Sequence, residues 1–290
     1  MVQQDIYLAA LCLRLRTPLL PNWRLEEKQF FTPSLPAAMT VPVELEFADP
    51  LPVPAGNPVY RGTSMTVYSG QDEERLYTPT FLADRAPYAL SRRDGNGVHV
   101  FQRRDPNLWN NPNYYPLTLM HIEDLLLDAE GLILHTCYTE YQGGAILFTA
   151  PSGTGKTTQA ELWKKCYGST IVNGDKCILQ RTPEGWRACG FFLHGSAPEC
   201  ENRSLPIRAI VVVRQSPRDH VEEIPAAQKL GLLYSECTVN NWDPAQVQTA
   251  LSLLSDLVSR VPVVLLHCTM EDSAAQVLHQ HLFGGYNGTF

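Results

Sequence analysis

The chain has 290 residues, 44% hydrophobic and 18% charged, which are the proportions of a folded protein and exclude a disordered or collagen-like one. With 23 Lys and Arg against 30 Asp and Glu, the formal net charge of −7 gives no overall attraction for nucleic acid or an anionic membrane. An anionic ligand must therefore be held by a local site.

No apolar run approaches the roughly 20 residues that cross a bilayer. Residues 1–16 carry Asp5 ahead of a short apolar stretch, unlike a basic signal-peptide lead, and are expected to be strand. The eight cysteines include no CxxC pair, which indicates reduced thiols in a cytoplasmic protein, with Cys137, Cys166, Cys177 and Cys189 as small core residues. At roughly 100 to 200 residues per domain, two domains are expected.

Fourteen of the 22 prolines fall within residues 1–116, and proline breaks helix interiors, so the front of the chain is predicted to be a β-rich domain. Its predicted strands are the apolar, β-branched runs 6–15, 41–47, 59–68 and 98–102, with Asp94-Gly95-Asn96-Gly97 as a hairpin turn. Residues 107–115 hold four asparagines and three aromatics and read as an ordered loop, Trp109, Tyr114 and Tyr115 serving domain packing in preference to lining a peptide groove.

From residue 117 to 290 a second domain is predicted. Leu119, Ile122, Leu125 and Leu126 share a helical face, followed by strands at 132–138 and 145–149. A glycine-rich loop leads to a helix at 157–167 ended by Gly168, then a strand at 170–172 and a hairpin of 177–180 with 186–189. Strands at 209–214 and 263–268 and helices at 244–259 and 273–282 complete the set, and this alternation predicts an α/β domain with a central sheet.

Residues 150–157, Ala-Pro-Ser-Gly-Thr-Gly-Lys-Thr, match the phosphate-binding pattern GxxxxGK[ST] except that Ala150 replaces the first glycine. A strand before and a helix after are the arrangement in which backbone N–H groups and the positive helix end converge on a phosphate. Ser152, Gly153, Thr154, Gly155, Lys156, Thr157 and Thr158 are the expected nucleotide contacts. Gly153 and Gly155 let the backbone curl, Lys156 reaches the β- and γ-phosphates, and the Thr157 hydroxyl takes a Mg²⁺ position.

Asp175, nineteen residues after Lys156 at the end of a β-type run, is the expected carboxylate for the metal, delivered by a strand neighbouring the loop strand. His135, on the strand before the loop strand, suits a group that accepts a proton from a substrate hydroxyl. His279 and His281 lie two apart on a helix and, with His267, make a poor site for one ion.

The segments Leu134-His135, Ala145 through Lys156-Thr157-Thr158 to Trp163, and Ile171-Val172-Asn173-Gly174-Asp175-Lys176 resemble the HPr kinase/phosphorylase and phosphoenolpyruvate carboxykinase-like superfamily. Within it, the likeness is to short bacterial phosphoenolpyruvate carboxykinase-like proteins, and it covers roughly residues 117 to 285, reaching Gly195-Ser196 and residues 200–206 less sharply. The resemblance implies a P-loop core with a mixed β-sheet, preceded here by the smaller β-rich domain, and binding of ATP or a related nucleoside triphosphate with Mg²⁺. It also implies that a loop without its first glycine is ordinary, and it makes Arg203 a candidate phosphate or substrate contact.

HPr kinases present two adjacent aspartates where this chain has Gly174-Asp175, so separate base and metal carboxylates cannot both be assigned here. Either His135 or Asp175 is left as base. The substrate-binding arginine pattern of true phosphoenolpyruvate carboxykinases is not found. The expected activity is a Mg-ATP-dependent kinase acting on a hydroxyl of a peptide, protein or small molecule. The alternative is a non-catalytic nucleotide-binding regulator or scaffold whose N-terminal domain binds a partner. Neither nucleic acid nor a membrane is an expected partner, and the sequence leaves the oligomeric state open.

Overall fold

The structure, a computed structural model, describes residues 1–18, 23, 25–62, 65–70, 74–80, 86–105, 116–192 and 199–284. The expected loop at 107–115, with Trp109, Tyr114 and Tyr115, and the Gly195-Ser196 pair lie outside the described residues. The fold is mixed α/β, with two mixed sheets and, among the described residues, five α-helices. The chain divides into two compact units, Met1–Pro33 with Ala37–Leu125, and Ser34–Pro36 with Leu126–Phe290.

The first unit is built on β1 (Val2–Leu8), β2 (Leu11–Thr17), β3 (Met39–Phe47), β4 (Tyr60–Arg61), β5 (Met65–Ser69), β6 (Arg75–Pro79), β7 (Ala89–Asp94) and β8 (Gly97–Gln102). They form one eight-stranded sheet in the order β1-β2-β3-β8-β7-β6-β5-β4. The pairs β2–β3 and β3–β8 are parallel, and the other pairs are antiparallel.

The single strand expected at 6–15 is instead an antiparallel hairpin of β1 and β2 turning at Ala9-Ala10, with Ala9 at φ 53°. Two alanines carry none of the Gly, Asn or Asp signal that marks such a turn, so the run reads as continuous. The turn at Asp94–Gly97 is where the sequence puts it, closed by the Asn96 amide donating to Asp94 Oδ1 at 2.7 Å. Gly97 sits at φ 142°, and a Cβ there would meet the Pro42 carbonyl oxygen at 2.3 Å, so both conformation and space require glycine.

A buried polar network ties the turn before α1 (Ile122–Asp128) to this sheet. His121, at φ 52° and fully buried, has Nε2 2.7 Å from Ser91 Oγ and Nδ1 3.0 Å from Asp124 Oδ2. Arg75 donates to the same Asp124 oxygen at 2.5 Å. The ring and the ion pair satisfy one another where an unpaired member would be costly.

The second unit contains β9 (Gly131–Tyr141), β10 (Gly144–Thr149), α2 (Lys156–Tyr167), β11 (Thr170–Asn173), β12 (Lys176–Thr182), β13 (Gly185–Gly190) and β14 (Ser204–Gln215). It continues with β15 (His220–Glu222), α3 (Ala226–Glu236), β16 (Cys237–Thr238), α4 (Pro244–Arg260), β17 (Val263–Cys268) and α5 (Asp272–Phe283). The strand order is β10-β9-β12-β13-β14-β17-β15, and β10 also pairs with β14, so five of these strands close into a ring. β10 is antiparallel to β9 and parallel to β14, which is parallel to β17.

Along β10, Ala145 and Leu147 face one core cluster with Ala250, Leu254 and Leu257 of α4, whereas Ile146 and Phe148 face another with Trp163 of α2 and Leu278 of α5. Burial on both faces is why this strand is an unbroken apolar run. Each such fully buried Leu or Phe contributes roughly 1.5–3 kcal/mol. All eight cysteines are free; Cys137, Cys177 and Cys189 are buried and Cys166 is half-buried. Among the described residues, no helix is long and apolar enough to cross a membrane.

Burial holds the His121 ring below its ordinary value of 6.5, opposed by its hydrogen bond to Asp124. The folded chain therefore refuses a proton that the unfolded chain accepts, so the stability from neutral His121 is complete above pH 6.5 and is lost as pH falls toward the lowered pKa. The protection factors of the amides around Ser91, with the intrinsic pH dependence divided out, are expected to fall between about pH 7 and 5 in the native chain and less steeply in His121→Gln; equal slopes would contradict this account.

Candidate functional site

Where β10 ends at Thr149, the chain leaves the sheet and turns into α2. Ala150 is buried in the core, so its methyl group takes part in packing, while its carbonyl oxygen is available to the turn. Gly153 and Gly155 take φ 78° and 111°, and Gly155 is the helix N-cap, with no side chain capping the first turn. Nothing lies within 4 Å of a Cβ at either position, so backbone conformation rather than crowding demands glycine. Ser152, Gly153 and Thr157 are exposed, and Thr154, Gly155 and Thr158 are half-buried.

Lys156 is the exception, only 7% exposed. Its ammonium donates to the carbonyl oxygens of Ala150 at 2.8 Å and Pro151 at 3.4 Å. Burial lowers its pKa, and the carboxylates of Glu236 and Asp175 act in the opposite direction.

Asp175 lies in the bend between β11 and β12. Buried Asn173 builds that bend: its Oδ1 accepts from the amides of Asp175 at 2.9 Å and Lys176 at 3.0 Å, and its Nδ2 donates to the Phe191 carbonyl at 2.7 Å. The Thr136 amide donates to the Asp175 carbonyl at 2.8 Å. The strands beside the loop strand are β9 and β14, however, and Asp175, beyond β9, stands one strand farther out than the sequence reading had it.

His135 occupies β9, the intervening strand. It pairs with Lys176 on β12, and its neighbour Thr136 pairs with Thr149 on β10. The Thr149 hydroxyl donates to the His135 carbonyl at 2.8 Å, tying the foot of the loop to this position. The imidazole Nε2 is 3.4 Å from Asp175 Oδ1, and Nδ1 is 3.0 Å from Glu236 Oε2. The structure thus brings His135 and Asp175 into contact, with Lys156 in the electrostatic field of Asp175. The His135 contact holds the Asp175 carboxyl below its ordinary range, against the opposing effect of burial.

Glu236 is the residue that sequence reasoning missed. It is the last residue of α3, 101 residues from His135, and no local motif marks it.

Among the described residues, no three His, Cys, Asp or Glu side chains converge to cage a metal ion. That donor set still fits Mg²⁺, which keeps waters and phosphate oxygens and needs only one or two protein carboxylates. Thr157, exposed at the helix start, and Asp175 are the hydroxyl and carboxylate that the sequence reading names for it.

Other sequence candidates go elsewhere. Arg203 is bound to Glu140 at 2.6 Å and lies 3.5 Å from Glu201. Glu140 is five residues along β9 from His135, about 17 Å in an extended strand. His279 stacks on Tyr167 with centroids 4.2 Å apart, His281 contacts Glu223 at 3.2 Å and His267 contacts Glu222 at 2.8 Å, three separate settings rather than one ion site.

Because Asn173 satisfies two amides and one carbonyl around Asp175, Asn173→Ala is expected to lower unfolding stability by about 2–4 kcal/mol in urea titration. A loss within the scatter of the native curve would show that the bend is held by other means. Compared with known proteins, the chain matches no protein-family model and no curated protein.

Proposed function

We propose that this chain is a cytoplasmic Mg-ATP-dependent phosphotransferase that moves a phosphoryl group from ATP, or a related nucleoside triphosphate, to a hydroxyl of a peptide, protein or small molecule. The observation that carries the reading is the contact of His135 with Asp175, across β9 from a left-handed glycine turn whose buried lysine feels both Asp175 and Glu236. An anion cradle and a carboxylate–imidazole pair in one electrostatic neighbourhood are what transfer to an alcohol requires. The same features support reading the α/β unit as a phosphoenolpyruvate carboxykinase-like core.

In this reading the amides of residues 153–158 and the Lys156 ammonium bind the triphosphate, the lysine exchanging the Ala150 carbonyl for phosphate oxygens. Thr157 and Asp175 would hold Mg²⁺, which supplies charge neutralisation on the phosphate oxygens when bound. His135 or Asp175 orients the acceptor hydroxyl and receives its proton. A nucleotide-binding regulator or scaffold with a partner-binding N-terminal unit is the second reading. The single carboxylate of the Asn173-Gly174-Asp175 bend favours it.

Incubation with γ-labelled ATP, Mg²⁺ and a panel of cytoplasmic peptides and metabolites tests the proposal. Label transfer is expected, reduced at least about 10²-fold in Lys156→Ala, which removes the main cation from the transferred phosphoryl group. Nucleotide binding in calorimetry without transfer to any acceptor would favour the regulator, and no binding at all would defeat both readings.

A further inference from the structure

The backbone register that delivers Glu236 is specific. β16 runs antiparallel to β9 with Cys237 opposite Leu134 and Thr238 opposite Ile133. Continuing that register by one residue sets Glu236 opposite His135, on the flank away from Lys176. The carboxylate is only 9% exposed, and its Oε2 is 3.0 Å from His135 Nδ1. A carboxylate oxygen accepts hydrogen bonds, so the geometry suits donation from Nδ1–H at this contact.

We propose that Glu236 is a positioning residue, accepting from His135 Nδ1–H and so holding the imidazole with its second nitrogen turned toward Asp175. The consequence for turnover rests on the phosphotransfer reading; the contact rests on geometry alone. The two faces of His135 then have different partners from different parts of the chain. Glu236 fixes the ring, which leaves Asp175 free of that task and available to a cation. A histidine whose far nitrogen is bound to a carboxylate is restricted in both rotation and tautomer; for metal-bound histidines the loss of such a partner typically costs about 10- to 100-fold in activity, and the same scale is expected here. The Glu236 contact also explains how a nearly buried carboxylate is accommodated, since His135 and the Lys156 ammonium both lie in its field.

The test uses the full chain labelled with ¹⁵N-histidine, with His135 assigned by its absence in His135→Gln. At about pH 8, two-bond imidazole spectra are expected to show Nδ1–H in the native chain and a shift toward Nε2–H in Glu236→Ala. Single-turnover release of labelled phosphate from Mg-ATP to water, used as the simplest acceptor, is expected to fall about 10²-fold in Glu236→Ala. The KM for ATP should stay within about threefold, because the loop is untouched. Glu236→Gln keeps an accepting oxygen and should restore the Nδ1–H form and most of the rate. It also serves if the alanine variant does not fold.

An unprotonated Nδ1 in the native chain, or an unchanged tautomer in Glu236→Ala, overturns the proposal. If the native chain releases no phosphate, phosphotransfer fails as a reading, and the tautomer comparison alone decides the role of Glu236.

Discussion

The register of β9 is the constraint on which the candidate site depends. Its first half is flanked by β12 and β16 and its second half by β10 and β11, so residues on either side of its middle are located by strand pairing on both sides. His135 stands at the changeover between the two sets of partners. Leu134 faces the core and His135 does not, so a slip of one residue would bury the imidazole and expose the leucine. Pairing with four strands makes such a slip a loss of four ladders at once.

The electrostatics follow from that placement. A lysine as buried as Lys156 is tolerated because the loop carbonyls accept its protons and two carboxylates lie in its field. Those carboxylates need partners in return, and the His135 ring lies within reach of both. The charges at this pole of the sheet are mutually dependent, and an incoming anion at the loop would compete with Asp175 and Glu236 for the lysine.

What could be read from the sequence was what is local. The β10–loop–α2 segment is a contiguous pattern in which an apolar run, two glycines and a helical face each report on their own neighbourhood, and the structure follows it to within a residue or two. The β12–β13 hairpin was legible for the same reason. Helix α3 was not, because Leu233 is its one buried residue and its apolar periodicity is correspondingly weak. Nor was β16, only two residues long. The bend carrying Asp175 could be anticipated from the β-type run before it, but not its place one strand beyond the loop strand's neighbour, and the Glu236–His135 contact joins residues 101 apart through elements that leave little trace in composition. The β1–β2 turn was hidden by Ala9-Ala10, where a strained backbone is imposed by pairing on either side rather than signalled by its own residues.

The closed ring of β9, β12, β13, β14 and β10 bears on how the chain is made as well as on what it does. As the polypeptide leaves the ribosome, β9 and β10 emerge as a hairpin whose apolar residues have no cover. β10 cannot gain its second neighbour until β14 has been synthesised some sixty residues later. Until then the nascent unit is a hydrophobic ribbon with an open edge, the form most exposed to chaperones and to wrong pairing between neighbouring chains. Assembly through such distant contacts is slow, so the late-arriving β14 acts as the clasp that ends this vulnerable interval.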